Sequence, residues 1–129
     1  MANKITNYDD YFDSRDVLER IKELNDQLDE LLEDYPEEQE SIEEIQDELE
    51  LMYAIQNEWD DAESFEWGIT FIRDSYFETY AEEFAEEIGA IDSEYEWPAY
   101  CIDWEWAARE LQIDYSSIDF DGVRYWGRG

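Results

Sequence analysis

The chain has 129 residues, enough for one domain with a real core and an appendage. Its 39 acids against 8 bases, with no histidine, give a net charge of −31; this disfavours DNA and RNA as ligands and points to a basic partner. A 17% aromatic content, with six Trp, ten Tyr and six Phe, separates the chain from acidic disordered sequences, which are poor in aromatics.

Residues 1–13 read as a short lead-in with the aromatic cluster Tyr8, Tyr11 and Phe12. Asp13 or Ser14 can cap a helix. Val17, Ile21, Leu24, Leu28 and Leu31 then recur at spacings of 4, 3, 4 and 3, a seam along one helix face. The helix is expected to stop near Asp34, because Tyr35 precedes Pro36. A second helix is expected from about Glu37 to Asp60, with Ile42, Ile45, Leu49, Met52 and Trp59 inward. A short turn between two helices makes them antiparallel. Asp26, Glu30, Glu33, Glu40, Glu43, Glu44, Asp47 and Glu50 fall off the seam.

After Phe65 the texture changes. The run GITFI (68–72) reads as a strand. In SYFETYAEEFAEEIGA (75–90), Phe77, Tyr80, Ala81, Phe84, Ala85 and Ile88 share one side of a helix. Ser75 is the expected cap and Gly89 the expected left-handed terminator. A helix over 103–112, capped by Asp103, carries Trp104, Trp106, Ala107, Ala108 and Leu111. It is apolar almost all round, which predicts burial. At the end, two β-prone runs flank Asp121-Gly122, a pair favoured in type I′ turns, so a hairpin of 116–120 and 123–127 is expected. The predicted class is α+β: an N-terminal antiparallel helical hairpin (1–61), then a small three-stranded antiparallel sheet carrying two helices (62–129).

Little supports catalysis. Without histidine, and with the single cysteine Cys101, zinc sites and Ser-His or Cys-His chemistry are ruled out or strongly disfavoured. No phosphate-binding glycine motif is present. Ser117-Ile-Asp119-Phe-Asp121-Gly122 imitates the start of a calcium loop, but its twelfth position is Arg128. The chain therefore reads as a non-enzyme with no cofactor and no metal. Cys101 is expected to be a small buried hydrophobe. Arg73, Arg109, Arg124 and Arg128 are expected in structural ion pairs. No apolar run approaches the roughly 18 residues of a membrane span. The start, MANKITNYDDYFDSRD, has no apolar h-region, so a cytoplasmic protein is expected.

The acid run carries the functional signal. From Glu23 to Ile72 no Lys or Arg occurs. An ordinary solvated helix interleaves Lys and Glu, because like charges at i,i+4 cost a few tenths of a kcal/mol. Here Asp26/Glu30, Glu40/Glu44, Glu43/Asp47 and Glu44/Glu48 are such like pairs. Helices over 16–34 and 37–60 would present about one net charge per 2 Å of length, close to the one per 1.7 Å or so of duplex DNA. The candidate phosphate surrogates are Asp26, Asp29, Glu30, Glu33, Asp34, Glu37, Glu38, Glu40, Glu43, Glu44, Asp47, Glu48 and Glu50. A second set is Glu82, Glu83, Glu86 and Glu87.

FETYAEEFAEEIGAI (77–91) followed by CIDWEWAARELQIDYSSIDFDGVRYW (101–126) resembles the C-terminal region of ArdA-type antirestriction proteins, acidic DNA mimics of phages and mobile elements. The matching features are the acidic helix ending in Gly89, then Ile102-Asp103-Trp104-Glu105, Ala108-Arg109-Glu110-Leu111, and a closing strand pair. The resemblance implies a homodimer that occupies the DNA groove of type I restriction-modification enzymes. Trp97, Tyr100, Trp104 and Trp106 are the dimer-interface candidates, with burial in the core as their other reading. Residues 14–61 stand in place of the family's earlier domains. The same charge could serve against a CRISPR nuclease, could sequester a basic partner without DNA-like geometry, or could serve solubility alone.

Overall fold

The computed structural model describes residues 4–91 and 97–129. Three layers form around one sheet. Strand β1 (Tyr11–Asp13) leads into α1 (Ser14–Asp34), then α2 (Gln39–Glu58) and the short α3 (Ala62–Trp67). Strand β2 (Thr70–Arg73) follows, then α4 (Phe77–Glu87), α5 (Trp104–Gln112), β3 (Ser116–Phe120) and β4 (Val123–Gly127). The four strands lie in the order β1-β2-β4-β3, every neighbouring pair antiparallel.

The fold is thus α+β with four strands rather than three. The extra strand is β1, within the expected lead-in: Tyr11 pairs with Ile72, Phe12 with Phe71 and Asp13 with Thr70. The closing hairpin coincides with its expected limits. Its turn has Asp121 at φ 50° and Gly122 at φ 83°, the double positive φ that a type I′ turn requires.

Alternation along the strands divides two cores. Phe12, Phe71, Ile118, Phe120 and Tyr125 face one way and meet Val17, Ile21, Leu24, Leu49, Met52, Ile55 and Phe65 from the helices. Ile72 and the half-buried Trp126 face the other way and meet Phe77, Ala81 and Ala108 of α4 and α5. The larger core crosses the 61/62 line, because α1 and α2 lie on the same sheet that β3 and β4 help to build. Phe71 is its hub, with ring centroids 5.3 Å from Phe12, 5.3 Å from Trp59 and 6.1 Å from Phe65. Burying such a ring contributes about 1.5–3 kcal/mol. Gly127 is small for this reason: a Cβ there would stand 2.7 Å from the Phe71 ring.

Ser14 joins the layers. It is fully buried; its hydroxyl donates to Phe65 O at 2.7 Å and accepts from Ile69 N at 2.7 Å. Asp13 is the helix cap, accepting from Arg15 N at 2.8 Å.

Several local expectations are corrected. Helix α4 begins at Phe77 after a 3-10 turn over Asp74–Tyr76, and Ser75 is not its cap. Helix α5 buries only Ala108 and leaves Trp106 61% exposed, because it covers the sheet with one side. Cys101 is exposed, on a 3-10 turn whose buried residue is Ala99. Of the four arginines, Arg109 alone pairs with a carboxylate among the described residues, Glu105. Arg73 donates to Asn7 O and to the Ser75 hydroxyl, and Arg124 lies over the Trp126 ring. Among the described residues no helix is long and apolar enough to cross a membrane.

Candidate functional site

Helices α1 and α2 form an arm whose base and end differ. At the base the apolar seam reaches the sheet. Here α1 and α2 are also clamped by charge. Arg20 Nε lies 2.6 Å from Glu48 Oε2, and its NH2 nitrogen donates to Glu48 Oε1 at 3.0 Å. Glu23 Oε2 lies 3.5 Å from the same guanidinium. The Arg20 and Glu48 side chains are only 16% and 12% exposed. The hydrogen bond to Glu48 raises the Arg20 pKa further. Breaking one partner of such a fork leaves a shielded charge uncompensated, so the clamp holds the two helices in register. Asn25 Nδ2 and Tyr53 Oη add a second cross-link at 3.0 Å.

Beyond Leu28 and Ile45 no arm residue belongs to the sheet's hydrophobic core. Ile42 is buried there at 4%, by the hairpin itself. Between Asn25 and Gln46 stand Asp26, Asp29, Glu30, Glu33, Asp34, Glu37, Glu38, Glu40, Glu43 and Glu44, and no base. All ten are exposed, and none has an ion-pair partner among the described residues. The α1 side of this end, Asn25 to Asp34, is about 15 Å long at 1.5 Å per residue. The local density is about one charge per 1.5 Å, slightly above the roughly one per 1.7 Å of duplex DNA.

No family model, no curated protein and no solved structure matches this chain.

The remaining candidates separate by position. Asp47 and Glu50 are exposed on α2 and continue the arm's surface toward its base. Glu48 is removed from the free carboxylates by its Arg20 clamp. On α4, Glu83, Glu86 and Glu87 are exposed and Glu82 is half-buried. Glu83 accepts from Tyr76 Oη at 2.9 Å, and this bond raises the phenol's pKa. Because α4 lies across the sheet from α1 and α2, the two acidic sets do not merge into one surface. Among the described residues no three His, Cys, Asp or Glu side chains gather as a metal site.

The aromatic candidates divide too. Trp104 packs into the smaller core, whereas Trp97, Tyr100 and Trp106 are 73%, 64% and 61% exposed. Ile113, one helical stripe beyond Trp106, is 74% exposed and was not singled out from the sequence. Leu32 and Tyr35, each 51% exposed at the end of the arm, were also missed. Their signal was available: both are large apolar residues off the 4-3 seam.

Proposed function

We propose that the chain is a phage or mobile-element inhibitor that mimics DNA. It occupies the DNA-binding groove of a host defence enzyme, with carboxylates where phosphates would lie. The observation that carries this reading is the distal arm, with ten exposed unpaired carboxylates, no cation, and the linear charge of a duplex. A surface selected for solubility alone would intersperse bases and lose these repulsions. Type I restriction-modification enzymes are the first target class, on the ArdA-like residues of 77–91 and 101–126. A CRISPR nuclease is the second, because the arm stands where that family carries other domains. The chain performs no chemistry and binds no nucleic acid itself. Exposed Trp97, Tyr100 and Trp106 support a homodimer through the C-terminal half.

The test is capture from bacterial lysate on the immobilised chain, eluted with duplex DNA. Restriction or CRISPR subunits released by DNA are the expected result. Assorted basic proteins that DNA does not release would favour simple sequestration, and an empty column would leave the charge as a solubility device. Sedimentation of a monomer at tens of micromolar would remove the dimer.

A further inference from the structure

The end of the arm is not purely acidic. Leu32 and Tyr35 lie one helical turn apart, both off the seam that Leu28, Leu31, Ile42 and Ile45 form between the helices. Neither belongs to either hydrophobic core, and each remains half exposed. The turn that carries them is built rather than loose. Tyr35 N–H donates to Leu31 O at 2.8 Å, Glu38 N–H to Tyr35 O at 3.0 Å, and the Gln39 side-chain amide to Pro36 O at 2.7 Å. The phenol ring is therefore presented on an ordered backbone. Glu33, Asp34, Glu37 and Glu38, all exposed, flank it in the chain.

A ring flanked by anions is the chemical outline of an unpaired nucleotide, a base held between phosphates. Grooves that hold single-stranded nucleic acid combine cations along the backbone with aromatic side chains on which bases stack. Base-flipping methyltransferases and R-loop-forming nucleases both hold unpaired nucleotides. We infer that the arm's end imitates such a nucleotide, so that its partner is a nucleic-acid-binding protein whose basic groove stacks unpaired bases on aromatic rings. The inference rests on the DNA-mimic reading and adds to it a partner class and a seat for Tyr35. Charge steers the encounter, whereas seating the ring sets how long the complex lasts.

The test uses the full chain and two probes. One is an OB-fold single-strand-binding protein loaded with fluorescent oligothymidylate; the other is polylysine, which offers charge without a stacking platform. The variants are Leu32→Gln with Tyr35→Ser, and Tyr35→Phe, each checked by thermal melting. The wild type and Tyr35→Phe should displace the oligonucleotide. The double variant should need about tenfold more protein, the order that one base–aromatic stack contributes. All three should bind polylysine equally. A double variant that displaces as well as the wild type overturns the inference. So does a wild type that binds polylysine but leaves the oligonucleotide in place. Binding to neither probe overturns the charge-mimic reading itself, and this inference with it.

Discussion

Single side chains decide how the layers meet. Ser14 satisfies a carbonyl of α3 and the amide just before β2 with one hydroxyl, at a site closed to water. Ser14→Ala leaves both groups unpaired, and an unmet buried hydrogen bond costs about 1–3 kcal/mol. The urea midpoint should fall accordingly, while Ser→Ala at the exposed Ser117 of β3 would be near neutral. An unchanged midpoint for Ser14→Ala would mean that water reaches the site. Tyr125 makes a titratable counterpart. Burial pushes its phenol up to about 12, with its Oη donating to Asp9 O. The raised group is neutral in the fold and begins to ionise near pH 10 once unfolded. Its contribution is therefore full below about pH 10 and is lost as pH rises toward about 12. Tyr125→Phe keeps the ring packing and removes this titration. Urea midpoints should fall less between about pH 9 and about pH 11.5 in the variant than in the wild type.

At the scale of elements, the proposed DNA mimicry would be distributed along the arm. Exposed charge contacts contribute about 0–1 kcal/mol each, so Glu43→Gln alone should barely change inhibition. Changing Glu40, Glu43, Glu44, Asp47 and Glu50 together to Gln should weaken the complex roughly 100–1000-fold. The same change should raise the melting midpoint, because the like pairs Glu40/Glu44 and Glu43/Asp47 disappear. Inhibition assays and melts on both variants check this, and full inhibition by the five-site variant would move the active surface to α4. Much of this element was legible in the sequence. The 4-3 seam places Val17, Ile21, Leu24, Leu49 and Met52 inward, and the ten distal acids fall outward as their spacing requires. Glu48 was not legible, because nothing local separates it from Glu44; its partner Arg20 lies 28 residues away on another helix. Strand β1 escaped because three residues are too few for a period of two to declare itself. Helix α3 escaped because its six residues carry one buried side chain, Phe65. Composition alone could not sort Trp104 from Trp106, since only the angle at which α5 meets the sheet decides which is covered.

For the whole molecule, net charge opposes the fold that the two cores stabilise. Carboxylates outnumber cations so heavily that screening should help more than it harms. Among the described residues, the four ion pairs Arg15–Asp13, Arg20–Glu23, Arg20–Glu48 and Arg109–Glu105 are few against −31. The melting midpoint should rise from low salt to about 0.5 M NaCl, where the Debye length shrinks to a few ångströms. A flat midpoint across that range would mean that the acids are already spaced beyond mutual repulsion.

The position of β4 has a consequence for synthesis. It is made after β1, β2 and β3, yet it lies inside the sheet, between β2 and β3. Tyr125 stands 4.9 Å from Phe12, ring centroid to centroid, so two strands far apart in sequence meet in the middle of the larger core. The arm's helices leave the ribosome early, but the floor beneath them cannot close until Val123–Gly127 has emerged. Until then Val17, Leu24 and Met52 have no sheet to cover them. Such long-range closure delays folding. A message cut short before Val123 would release the acidic hairpin without the strand that makes it part of a protein.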